Sequence, residues 1–267
     1  MEELIEKELE KHKNELHDTL VALEGLAQHR TSADGALPKL MNALITRNYY
    51  TGFAIIWLSD DYHNGSAAID LARQMVEDMI NLEWMMVNDP DKQAAKFDTF
   101  VAIDRMNAMK EAGLINLRVK DMLTDEEIAN IVSEDKAARK QLGMEEDEER
   151  WTYNKKKFED MVTDIKARID QTPLTEDNLN RILWYYIQGN RKNHTSPNEL
   201  LVHLQPDKDV VLSLKGDMQY ALFIAHAVLF TIALHYTDRL LKLNTEDTLA
   251  KTTQEKLIEQ HKRQTSQ

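Results

Sequence analysis

The chain has 267 residues, 42% of them apolar, with 8 glycines, 5 prolines, no cysteine and a formal net charge of -13. That length buries a sizeable core without staples, and the missing thiols exclude disulfides and thiolate metal sites. Scarce Gly and Pro remove the punctuation that sheets and long loops need, while the acidic balance repels nucleic acid and anionic membranes except at local basic patches such as NKKK (154–157) and NRKNH (190–194).

An all-α multi-helix bundle is therefore expected, and the elements follow in chain order. Leu4, Ile5, Leu9, Leu16, Leu20, Leu23 and Leu26 recur at helical spacing on a charged background, which makes residues 1–30 one long amphipathic helix. Apolar residues resume at Leu37 and run to Leu58, with Gly52 as a candidate kink, until YHNGS breaks the chain. Ser66 is placed to cap the next helix, AAIDLARQMVEDMINLEWMMV, and Asp89 with Pro90 to open the one after it, which Gly113 ends. Residues 114–150 read as an exposed acidic helical insertion. There Thr124 and Glu127 form a capping box, Gly143 stops the helix, and the run MEEDEER follows; acidic residues scattered along a solvated helix do not converge on a hard cation.

The core pattern returns after Trp151 with Phe158, Met161, Ile165 and Ile169. A turn then leads into LNRILWYYIQG and the elbow GNRKNHTSPNELLVH, in which Ser196, Pro197 and Glu199 suit the start of a short helix at 198–204. The longest apolar segment, 210–243, is expected to be the central helix, and the polar stretch 245–267 a mobile tail of a single domain spanning 1–267. No apolar run approaches the length of a membrane span and no secretory signal is visible, so a cytoplasmic address without membrane contact is expected.

Two constellations carry candidate chemistry. Arg73, Glu77 and Asn81 form a polar line at four-residue steps beside the stripe Leu71, Met75, Met79, Leu82 and Met86. The line fits a surface ion pair, a buried pair, or a ligand contact; a buried arginine needs a partner, because an unpaired buried charge costs several kcal/mol. The elbow offers Arg191, Asn193, His194 and Ser196, with Tyr185 and Tyr186 on the helix leading in. A histidine near an arginine at a helix junction can move protons on a phosphodiester while the arginine holds the developing charge; the same residues can simply complement a helix dipole. Asp60 and His63 have the spacing of two ligands on one helix face, yet a carboxylate-bridged dimetal bundle needs repeated Glu-x-x-His, which is absent. His226 and His235 lie nine residues apart on the long apolar helix and face different neighbours, as core or interface histidines do. There is no P-loop, G-x-G-x-x-G, G-x-S-x-G or HExxH motif, and no metal or cofactor is expected.

The segments LARQMVEDMINLEWMMVNDPDKQAAKF, RWTYNKKKFEDMV and LWYYIQGNRKNHTSPNELL, in that order, resemble the helical bacterial family of unknown function DUF5677. The positions that match its motifs are Arg73 and Glu77, Trp151, Tyr185 or Tyr186, and His194 with Ser196. A looser resemblance is to the HEPN helical ribonucleases, whose site is an arginine followed by a histidine at a helix junction. That resemblance implies metal-independent RNA cleavage in a site shared by two protomers, although only two residues separate Arg191 from His194 here, closer than in that motif. The expected molecule is a non-catalytic helical module of bacterial stress or phage-defence type, with a polar pocket of Arg73, Glu77, Asn81, Tyr185, Tyr186, Asn193 and Ser196 for a small ligand or protein. The alternative is a HEPN-like ribonuclease acting on RNA with His194 as acid-base and Arg191 as phosphate clamp. Either fits a homodimer through the FIAHAVLFTIALHY stretch, which is apolar around most of its circumference.

Overall fold

The computed structural model describes residues 2–28, 35–114, 122–145, 148, 153–154, 156–193 and 207–265, with the backbone alone for 2, 114, 189–193, 207–210 and 264–265. Among the described residues it is an all-α multi-helix bundle without strands. The helices are α1 (Glu2–Gln28), α2 (Ala36–Leu58), α3 (Gly65–Met86), α4 (Pro90–Leu114), α5 (Asp125–Leu142), α6 (Phe158–Lys166), α7 (Glu176–Asn193), α8 (Asp207–Leu243) and α9 (Thr248–Thr265). Short 3-10 turns at Tyr62–Asn64 and Ile169–Gln171 lead into α3 and follow α6.

Helix α8 is the axis of the molecule. Its residues Met218, Ala221, Leu222, Ile224, Ala225, Val228, Leu229, Ile232, Ala233 and Tyr236 are buried around most of its circumference, because α1, α2, α3 and α9 surround it. Each large apolar side chain so enclosed contributes on the order of 1.5–3 kcal/mol relative to exposure. Segment Val211–Leu243 is long and apolar enough to cross a membrane, and 61% of its most apolar window is buried inside the bundle. The apolar face invoked for a dimer is thus largely covered within the chain.

Polar contacts fix the direction of each neighbour. Lys215 Nζ reaches Glu6 at 2.8 Å and His226 Nδ1 meets Thr19 Oγ1 at 2.9 Å, so α1 runs parallel to α8. Gly65 lies against the Leu214 carbonyl and His235 Nε2 lies 2.7 Å from Glu83 Oε1, so α3 is parallel to α8 as well. The Tyr236 hydroxyl donates to Asn42 at 3.4 Å while Gly52 faces Leu229, which makes α2 antiparallel. His226 and His235 are indeed core residues, each with its own polar neighbour from a different helix. The Glu83–His235 contact is a fully internal register mark between α3 and α8, since Glu83 is 0% exposed.

Several expectations change in three dimensions. Helix α2 continues through Gly52 without a break; the glycine lets α2 pass close to its neighbours, since a Cβ there would stand 2.8 Å from Leu229 Cδ1 and 3.2 Å from Leu20 Cδ2 and those leucine ends would have to shift. Helix α3 begins at Gly65 rather than after a Ser66 cap, and a Cβ at Gly65 would collide with the Leu214 carbonyl oxygen. Asp89 adopts a left-handed φ of 66° ahead of Pro90. The polar tail is not loose: it forms α9, which packs on α1 and α8 through buried Ala250, Thr253 and Leu257. Gln260 adds hydrogen bonds to the Glu15 carbonyl and to Thr19 Oγ1, both at 2.9 Å. The helix expected at 198–204 lies outside the described residues.

Helix α5, the core of the acidic insertion, packs on α4. Its ends are as the residues dictate: Thr124 and Glu127 make both bonds of the capping box, and Gly143 closes it with φ 63°. Unforeseen is the buried Asp135–Arg139 pair at 2.9 Å, from which Arg139 also donates to the Glu148 carbonyl at 2.7 Å. The insertion therefore has a small polar core of its own.

Candidate functional site

The polar line of α3 meets α7. Tyr186 donates its hydroxyl to Glu77 Oε1 at 3.1 Å, and its ring stacks on Phe158 of α6 at a 4.6 Å centroid distance and 16°. Both Glu77 and Tyr186 are half-buried, so this contact exchanges with water less freely than a surface pair. Asn81 donates to the Glu77 carbonyl at 2.8 Å and is thus tied to its own helix. Arg73, half-buried, stands one turn before Glu77 on the same face.

The neighbouring tyrosine points elsewhere. Successive side chains on a helix diverge by about 100°, and Tyr185 accordingly stacks on Tyr220 of α8 at 4.2 Å and lies edge-on to Phe223 at 5.5 Å. Phe223 also takes the Arg181 guanidinium over its ring at 4.5 Å and His12 against its edge. The structure thus brings Glu77, Tyr186 and Phe158 together, and assigns Tyr185 to a separate aromatic cluster on α8. That separation corrects the expectation of one pocket holding both tyrosines.

The direction of α7 comes from its entry. Arg168, ahead of α7, donates to the Val87 carbonyl at 3.0 Å and to Asn88 Oδ1 at 2.6 Å, at the far end of α3. Tyr186 meets Glu77 nearer the middle of α3, so α7 runs antiparallel to it. Five residues beyond Tyr186, at about 1.5 Å each, the backbone of Arg191 comes about level with Arg73. Asn193 closes α7, and the side chains of Arg191 and Asn193 lie outside the described residues, as do His194, Ser196 and Trp151 entirely.

A second polar seam joins α3 to α6, where the Trp84 indole N–H donates to Asp164 Oδ2 at 2.8 Å. That hydrogen bond is the main reason the Asp164 carboxyl lies below its ordinary value of 3.8; Lys156 at 3.3 Å acts in the same direction. On the opposite face of α3, burial raises the Asp78 carboxyl despite Arg47 at 3.4 Å and the Asn48 amide at 3.0 Å. Sequence reading named neither aspartate, since single carboxylates in a charged background carry no periodic signal. No group of three metal-ligating residues occurs among the described residues, and the Asp60–His63 pair is drawn apart: Asp60 bonds to Lys13 at 2.7 Å and His63 to Asp61 at 2.6 Å.

Fold and seam together define a helical bundle with a polar, aromatic-backed junction between α3 and α7. Residues 39–210 match the model of a family of unknown function (DUF5677), a span of more than half the chain, and the chain belongs to that family. The match runs from early α2 into the first turn of α8, so it contains the whole α3–α7 junction and the elbow. No curated protein and no solved structure matches the chain.

Proposed function

We propose that the chain is a non-catalytic binding module whose small ligand or partner seats where the last turn of α7 passes the Arg73 half of α3. The observation that carries this reading is the Tyr186–Glu77 hydrogen bond at 3.1 Å, which docks α7 antiparallel on α3 and brings Arg191 to the level of Arg73. Glu77 serves there as the acceptor that positions a tyrosine, a binding-site role, with Phe158 holding the ring. A net charge of -13 also disfavours general attraction of RNA to the molecule.

The test pairs two assays on the full chain. Thermal shift against nucleotides, anionic metabolites and short peptides is expected to show a saturable rise with a member of the panel that Tyr186→Phe weakens about tenfold, the effect of losing one good hydrogen bond. Total RNA and labelled oligonucleotides, with and without EDTA, are expected to stay intact above the background of a His194→Ala variant. EDTA-resistant cleavage leaving a 2',3'-cyclic phosphate and lost in His194→Ala overturns the binding module in favour of a HEPN-like ribonuclease.

A further inference from the structure

The outer side of α2 carries a strip that the bundle core leaves open. Lys39, Ala43, Arg47, Tyr50, Ala54 and Trp57 follow one another at steps of three or four residues, so they share one side of the helix. Tyr50 is 61% exposed and Trp57 75%, while the half-exposed Arg47 touches Asp78 of α3 at its edge. Single exposed apolar residues are ordinary, but two large aromatics aligned on one strip mark an interaction surface.

Charge narrows what can cover that strip. The chain has a formal net charge of -13, so two copies repel one another over most of their surfaces. Helix α2 is the exception: among the described helices it alone contains no Asp or Glu, and its charged residues are Lys39 and Arg47. Carboxylates return directly after it, at Asp60 and Asp61 in the turn that leads to α3. Asp60 bonds to Lys13, whereas Asp61 bonds to His63 within its own turn. The His63 backbone N–H and ring hold the Asp61 carboxyl below its ordinary range, so it is charged at neutral pH.

The spacing of the strip is self-complementary. Counted from Tyr50, Trp57 and Ala43 lie seven residues to either side, and Asp61 and Lys39 eleven. An antiparallel helix pair with a two-fold axis at Tyr50 therefore sets a tryptophan on an alanine, and a cation against a carboxylate, at both ends at once. We propose that this strip is the interface of a two-fold dimer, α2 packing antiparallel on α2 of a second copy. Trp57 covers Ala43 of the partner subunit, Lys39 reaches Asp61 of the partner subunit, and the two Tyr50 rings meet on the axis. Aromatic anchors in the middle and opposite charges at the rim are what specific interfaces use. A single helix pair buries less than the roughly 1,600 Å² of a standard interface, so a dimer of micromolar affinity is expected. The inference stands on α2 and does not depend on the α3–α7 reading.

The experiment is sedimentation equilibrium of the full chain from about 1 to about 300 μM, a range that brackets such an affinity. The wild type is expected to pass from 30.9 kDa to twice that mass, and Trp57→Ala to weaken the association about tenfold or more. Lys39→Glu and Asp61→Lys should each weaken it, since each sets like charges together at both ends. An equimolar mixture of those two variants should regain it, because every end of the mixed dimer again joins opposite charges. Circular dichroism verifies that each variant is folded. A monomer at every concentration hands the strip to a different protein and overturns the proposal. Association undiminished in Trp57→Ala moves the interface to another face, and a mixture no tighter than its components removes the antiparallel register; either result equally overturns it.

Discussion

Asp164 shows how one residue couples the fold to pH. Its carboxylate accepts from the Trp84 indole at 2.8 Å and its pKa is lowered from 3.8, so it binds protons less readily folded than unfolded. A depressed carboxylate contributes stability that is complete above the unfolded value and lost as pH falls through the folded one. The wild type is thus expected to lose stability as pH falls from about 4.5 toward the folded value below 3.8, and Asp164→Asn to lose less over that window while starting lower at pH 7. Urea unfolding followed by circular dichroism at several pH values checks this; parallel pH profiles for the two proteins would count against it. The Glu77 line was legible from its four-residue period, whereas its partner was not, because Tyr185 and Tyr186 are equivalent in sequence and only the rotation of α7 selects Tyr186.

Among elements, the α4–α5 arm carries its own test. Asp135 and Arg139 have side chains 7% and 4% exposed, and Arg139 also ties down the carbonyls of Glu145 and Glu148. Arg139→Ala leaves Asp135 buried without its counter-ion and is expected to cost about 3–5 kcal/mol. Because α5 packs on α4, the loss should show as faster amide exchange in α5 and the following run, with α1, α3 and α8 little changed. Uniform acceleration throughout the bundle would show that the arm is not a separate unit. The caps of α5 were readable since Thr124, Glu127 and Gly143 act through local bonds. The buried pair was not, since an i,i+4 Asp–Arg step looks the same whether it faces water or α4.

For the whole molecule, the question is whether α9 belongs to the cooperative core. Leu257 is fully buried and α9 lies on both α1 and α8. Leu257→Ala is expected to cost about 2–5 kcal/mol, read as a lowered melting temperature of the single transition. An unchanged melting temperature would mean that α9 contributes nothing to the bundle. The family match ends inside the first turn of α8, so α1, most of α8 and α9 lie beyond the matched span; of these, α8 packs directly on α3 and α7.

What the sequence determined by itself was what short-range chemistry governs: the helical class, from scarce Gly and Pro and the 3.6-residue apolar period; the central place of α8, from its apolar circumference; and the ends of α5, from side chains that bond within one turn. The tertiary structure decided everything that depends on which helix lies beside which. It turned Gly52 from a kink into a close approach to the leucines of α8 and α1, and moved the start of α3 to Gly65, where the backbone of α8 occupies the volume of a Cβ. It converted the polar tail into α9, because Ala250 and Leu257, with Thr253 between them, suffice to bury one face once α1 and α8 offer a groove.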